Sequence, residues 1–231
     1  MDPAPAGRVD LHGRRTGSEP EVVDLLHGLD PAKVRANLER VREATGPDVE
    51  ILAATKYVPE GELGALVEAG VTLVGENRLQ ELEAKQSEWR DAFTWDFIGN
   101  LQSRKLKELL PRVRLIHTVA SDSVNAQLAR HGDDATQVLV QVNVAGEEGK
   151  GGVAPGELAD FIARCPAEVV GLSTMPPLAT KPEDSRPHFE RLASLAAAHG
   201  LTKLSMGTSQ DWEVAVEEGA TIIRLGTGLY S

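Results

Sequence analysis

Eight short apolar runs, each closed by a turn signal and separated by helix-like segments, constrain this chain more than any other feature. The runs end near Thr55, Gly75, Gly99, Thr118, Val144, Ser173, Ser205 and Gly226. Helical patterns fill residues 61–68, 78–89, 102–110, 123–130, 156–163, 183–199 and 211–217. Leu63, Leu66 and Val67 form one core-facing stripe, and Leu106, Leu109 and Leu110 another. Strict alternation of strand and helix dictates a parallel sheet with helices outside it. Eight strands suit a closed barrel better than an open sheet, and 231 residues suit one such domain. The expected fold class is therefore α/β, a single (β/α)8 TIM-like barrel over residues 25–231. Only five residues follow Gly226, so no eighth helix is expected after the last strand. A helix over 31–44, with Val34, Leu38 and Val41 on one face, is expected to cover that gap. Residues 1–24, with Pro3, Pro5, Gly7, Gly13 and Gly17, read as a flexible tail without the apolar core of a secretory signal.

Charge narrows the function classes. The formal net charge is −11, from 24 basic and 35 acidic side chains, which argues against nonspecific binding to nucleic acid or anionic membrane. No apolar run is long enough for a membrane span. The single cysteine, Cys165, has no internal disulfide partner, which fits a reducing cytoplasm, and it reads as structural.

Chemistry gathers at the strand ends. Lys56 closes the run Ile51-Leu52-Ala53-Ala54-Thr55. A lysine leaving a buried strand into a partly dry pocket is pushed toward the neutral amine, a nucleophile for aldehydes. Alone, it reads more simply as a strand-end lysine reaching for water. The other end of the chain changes that balance. Leu204-Ser205-Met206-Gly207-Thr208-Ser209 and Arg224-Leu225-Gly226-Thr227-Gly228 offer hydroxyls, flexible backbone and, at Ser209, a helix cap. In β/α barrels the loops after strands seven and eight often bind phosphate. The first and eighth strands are neighbours in a closed barrel, so the amine and the phosphate cradle face one pocket. A small molecule carrying an aldehyde and a phosphate is pyridoxal 5′-phosphate.

Other residues stay open between two readings. Asn77 either contacts a cofactor ring or caps a helix. Arg224, among Ile222, Ile223 and Leu225, either faces a ring nitrogen, which it would leave unprotonated, or joins a salt bridge. Asn100 is placed to line the pocket. Gly146 to Gly152 lacks the spacing of a phosphate loop and reads as a solvated rim loop, with Lys150 within reach of an anionic ligand. The six histidines show no metal-binding spacing, and Gly171-Leu172-Ser173-Thr174-Met175 misses the nucleophile elbow by its last residue.

Seven motifs in order, from about residue 36 onward, resemble the pyridoxal-phosphate homeostasis proteins (YggS/PROSC-like). They are Ala53-Ala54-Thr55-Lys56, Gly75-Glu76-Asn77-Arg78, Phe97-Ile98-Gly99 with Leu101-Gln102, Gln141-Val142-Asn143, Gly146-Glu147-Glu148 with Lys150-Gly151-Gly152, Leu204-Ser205-Met206-Gly207 and Arg224-Leu225-Gly226-Thr227. The resemblance implies the barrel of alanine racemase (the type III pyridoxal-phosphate fold) without its second domain. It implies that Lys56 holds the cofactor as an internal aldimine and that Asn77 contacts the ring side. Ser205, Met206 through its backbone, Gly226 and Thr227 would bind the phosphate, and Arg224 would face the pyridine nitrogen. Departures from the family fall at Asp96, Asn100, Ser173 and Gln210, and are expected to touch the rim more than the cradle.

The function implied is holding and delivery of pyridoxal phosphate in the cytoplasm, without robust catalysis. The partners would be the cofactor and pyridoxal-phosphate-dependent apoenzymes, and the protein a monomer or weak dimer. One alternative is an amino-acid racemase using Tyr57 or Tyr230 as second base. Another, from a different class, is a Schiff-base aldolase acting on a sugar phosphate with the same lysine.

Overall fold

A computed structural model describes residues 25–231; the segment expected to be a tail lies outside them. Eight parallel strands close in sequence order: β1 (Glu50–Ala54), β2 (Leu73–Glu76), β3 (Thr94–Phe97), β4 (Leu115–Val119), β5 (Gln137–Gln141), β6 (Glu168–Ser173), β7 (Lys203–Thr208) and β8 (Ile222–Leu225). Closure is made by β1 against β8, with Leu52 beside Arg224 and Ala53 beside Leu225. The helices are α1 (Pro31–Thr45), α2 (Leu63–Ala69), α3 (Leu79–Trp89), α4 (Leu106–Leu109), α5 (Asp122–His131), α6 (Leu158–Ala163), α7 (Arg186–Ala198), α8 (Trp212–Glu217) and α9 (Thr227–Tyr230).

Strand side chains alternate between two cores. Facing inward near the amino-terminal end of the barrel, Leu52, Leu73, Leu115, Leu139 and Ile222 form a small plug. Facing outward, Ala53, Val74, Ile116, Val138 and Ile223 pack under the helices together with Leu63, Leu66, Leu82, Leu158 and Leu192. Each fully buried leucine contributes about 2 kcal/mol. Leu63 and Leu66 of the expected α2 stripe are buried, but Val67 is 42% exposed and faces out.

The helix α1 closes the outer ring. Asp30 caps it by accepting the Ala32 amide at 2.9 Å, and Pro31 starts it with a fixed φ. Val34, Leu38 and Val41 are buried as the periodicity requires. Asn37 Nδ2 donates to the carbonyls of Leu229 (3.1 Å) and Ser231 (3.0 Å). One expectation is corrected here: the residues after β8 do form a helix, the single turn α9, because Leu229 and Tyr230 both bury their side chains. Two strand ends also move. The strand β5 stops at Gln141 rather than near Val144. Conversely, β7 runs on to Thr208 because Gly207, at φ +87°, bends the strand instead of ending it. A side chain there would be strained and would meet Ala215 Cβ at 2.6 Å.

Candidate functional site

The carboxyl ends of the strands surround a cavity of about 450 Å³, within the usual range for small-molecule sites. Lys56 sits on the turn two residues beyond β1, exposed, with Nζ 4.7 Å from the centre of the Tyr57 ring. The dehydration expected for a strand-end lysine is therefore not found, and an aromatic face flanks the amine instead. Asn77, just past β2, lines the cavity. It is not the helix cap: Arg78 holds that position, without a side-chain cap bond. The Asn77 backbone passes so close to Gly99 that a Cβ on residue 99 would lie 2.0 Å from the Asn77 carbonyl oxygen.

Across the cavity stand Thr208, Ser209, Gly226 and Thr227. The expected capping role of Ser209 is replaced by another. Asp211 precedes α8, and its Oδ1 accepts the Thr208 amide at 2.7 Å and the Thr208 hydroxyl at 3.0 Å. Ser209 Oγ accepts the amides of Gly226 and Gly228, each at 3.1 Å. That hydroxyl ties the β7 loop to the β8 loop. Two residues expected at the phosphate are absent from the lining. Ser205 lies fully buried beneath the floor, and Met206, on the opposite face of the strand, packs in the outer core. The reason is the extension of β7, which carries the loop to Thr208 and Ser209.

Arg224 is buried in the cavity floor. Its Nη1 donates to Ser205 O (2.8 Å) and Ser205 Oγ (2.7 Å), and its Nη2 to Thr174 O (2.8 Å) and Met175 S. Among the described residues it makes no salt bridge to a carboxylate. Burial pulls the guanidinium pKa down to about 10, against the opposing field of Asp211, so it remains charged at neutral pH.

Sequence reasoning missed what lies below. Asp96 is ionised and can only accept, and burial keeps His117 neutral, so the one ring proton sits on Nε2 and Nδ1 accepts the Ser205 hydroxyl proton, 2.8 Å away. His117 Nε2 donates its proton to Asp96 Oδ2 at 3.0 Å. Arg114 grips Asp96 with two bonds, at 3.0 and 2.7 Å. Burial alone would raise the Asp96 carboxyl, but the bonds from His117 and Arg114 hold it below the usual carboxylate range. For His117 burial dominates and pushes its pKa down. Of the four departures, Asp96 is thus an interior residue off the lining, Ser173 is buried but lines the cavity, and Asn100 and Gln210 also line it. Lys150 pairs with Glu147 and does not reach the cavity. Cys165 is half-buried, and burial pushes its thiol pKa up, away from nucleophilic character.

Among the described residues, the cavity lining includes Lys56 and Arg224 but no Asp or Glu. In a chain with 35 acidic side chains, that selects for an anion. The fold and the site together define a barrel protein with an exposed amine facing a group of hydroxyl and glycine residues at its carboxyl-terminal face. Residues 29–231 match the family model of the alanine racemase N-terminal domain. The pyridoxal phosphate homeostasis protein of Aquifex aeolicus is 40% identical over 195 residues, covering 78% of this chain and 86% of that protein. That of Pseudomonas aeruginosa is 35% identical over 212 residues, covering 86% and 92%. The structure of PipY from Synechococcus elongatus with PLP bound is similar at a TM-score of 0.73 and 30% identity, covering 86% of this chain and 100% of that one. Alanine racemase from Corynebacterium glutamicum shares the fold, with a TM-score of 0.68 at 18% identity over 90% of this chain and 63% of that one. The chain belongs to the family of pyridoxal phosphate homeostasis proteins, built on the alanine racemase N-terminal domain.

Proposed function

We propose that this chain holds pyridoxal 5′-phosphate in the barrel-end cavity and serves its storage and delivery to apoenzymes in the cytoplasm, without robust turnover of its own. The observation that carries this reading is the acid-free cavity with one exposed amine, Lys56, opposite the paired loops of Ser209 and Gly226. When bound, the cofactor supplies an aldehyde that condenses with an amine and a ring that accepts electron density. Lys56 is the amine within the cavity. Asn77 stands at the ring side, and Arg224 fixes a positive charge on the floor. Gly226 and Thr227, with Thr208 and Ser209, form the anion end. Ser205 supports the site through Arg224 rather than by touching the ligand.

The absence of robust turnover rests on the state of the candidate bases. Both ring nitrogens of His117 are engaged. Tyr230 donates its hydroxyl to Ala54 O at 3.1 Å, and burial together with the Glu76 charge raises its pKa, which opposes loss of the proton. Tyr57 flanks Lys56 itself. A racemase needs a second, free base. The aldolase reading has no independent support in the cavity and would require a protein that stays colourless with the cofactor.

The test is the visible absorption spectrum of the protein mixed with pyridoxal 5′-phosphate, with Lys56→Ala alongside. A band present in the wild type and lost in the variant supports the reading. A wild type that takes up no cofactor sinks it. Sustained production of a D-amino acid dependent on Lys56 would replace it with the racemase.

A further inference from the structure

Beneath the cavity wall lies an ion pair whose two residues are not part of the cavity lining. Lys85 of α3 is 2% exposed and Glu76, at the end of β2, is 0% exposed. The two are in direct contact. Burying two charges costs free energy that their attraction seldom returns, and well-packed apolar replacements are often as stable. A stability role is therefore a weak account of this pair, so its contacts matter more than its existence.

Those contacts are specific. Lys85 Nζ donates to the carbonyl of Thr55 at 2.8 Å, the peptide that leads into Lys56. Thr55 Oγ1 donates to Glu76 Oε1 at 2.7 Å, and the Thr55 amide to Gly75 O at 3.0 Å. The second carboxylate oxygen, Oε2, accepts the amide of Asn77 at 3.2 Å. One residue earlier, Ala54 O is held by Tyr230. The pair thus clamps the exits of β1 and β2 at the two peptides that carry Lys56 and Asn77. Neither Lys85 nor Glu76 lines the cavity, so the bonds fix backbone without adding a side chain to the lining.

We propose that Lys85 and Glu76 are positioning residues for Lys56 and Asn77. They lock the two strand exits in one geometry, so that the exposed amine on a mobile side chain springs from a fixed root. This rests on the proposed cofactor site for its functional meaning, but the clamp itself can be measured without any cofactor.

The experiment uses Lys85→Met with Glu76→Gln, which removes both charges at nearly constant volume. Amide hydrogen exchange is followed by mass spectrometry on the protein alone, and the rate of the Lys56 reaction with pyridoxal 5′-phosphate by absorbance. The expected result is about tenfold faster exchange over residues 55–58 and 76–79, with the exit of β6 unchanged. The Lys56 reaction is expected to slow about tenfold. Should the double variant not fold, Thr55→Val carries the test, since it removes only the hydroxyl that bonds Glu76 (2.7 Å) and Gly75 O (3.3 Å) and leaves the ion pair in place. Its expected effects are smaller and of the same sign. Unchanged exchange at both exits would overturn the clamp. Faster exchange with an unchanged Lys56 rate would overturn the positioning role. If wild-type protein takes up no pyridoxal 5′-phosphate, the cofactor reading fails, while the exchange result still decides whether the clamp exists.

Discussion

Ser209 Oγ stands 3.1 Å from the backbone nitrogens of both Gly226 and Gly228, so one hydroxyl gathers two amides from a loop 17 residues away in sequence. A hydroxyl that accepts two hydrogen bonds has one proton left to give. We propose that this proton is offered to the anion end of the cavity, since both amides are already engaged by Ser209 Oγ.

Ser209→Ala should therefore weaken binding of pyridoxal 5′-phosphate about tenfold, or about 1.4 kcal/mol, and leave binding of pyridoxal, which lacks the phosphate, nearly unchanged. Equilibrium titration of both compounds checks this. Equal losses for the two would show that Ser209 acts on the fold of the loop and not on the anion.

Gly99→Ala should destabilise the protein by about 2 kcal/mol, because the new methyl group would press on the Asn77 carbonyl, a backbone atom that cannot swing aside. The urea midpoint reports it. Cofactor affinity should fall in the same variant, since the clash pushes on the loop that carries Asn77. A variant as stable as wild type would contradict the close approach.

Acid should unfold the protein in two stages. In the unfolded chain His117 takes up a proton near its ordinary value of 6.5, while burial holds it neutral to lower pH in the folded state. Below 6.5 the unfolded state therefore binds more protons, and stability falls with pH until the folded value is passed. Asp96 has an ordinary value of 3.8 and a lowered folded one. Its unfolded carboxylate protonates first, so a second loss follows at lower pH, to which Glu50 contributes in the same sense. Burial raises Glu50, but Arg114 and Lys203 outweigh it. Urea midpoints measured across this range should show both stages, and His117→Asn should flatten the upper one.

The barrel was legible because its signals are local. Apolar runs, Gly-rich turns and helical stripes each occupy fewer than about 20 residues, and parallel closure follows from their alternation. Lys56, Asn77, Arg224, Gly226 and Thr227 were found in the same way, as polar or small residues at strand ends, and all line the cavity. The side chains of Ser205 and Met206 lie off the cavity lining for one reason. Gly207 reads as a turn in sequence but serves as a positive-φ bend inside β7, which shifts the loop forward to Thr208 and Ser209. The interior polar residues were not legible. Glu76 is nine residues from Lys85, Asp96 is 21 from His117, and His117 is 88 from Ser205. A buried charge is recognised by its partner, and no local pattern names a partner on another strand.

The acid-free mouth has a consequence for traffic. A phosphorylated molecule approaching a protein of net charge −11 meets a net repulsion at long range, whereas the described cavity lining presents Lys56 and Arg224 without a carboxylate. At about 0.15 M salt the long-range repulsion is cut off beyond about 8 Å, whereas contacts inside the cavity are screened much less. Loading should thus quicken as salt rises from low values while residence time changes little, which makes ionic strength a control on how the protein fills and not on how long it stays full.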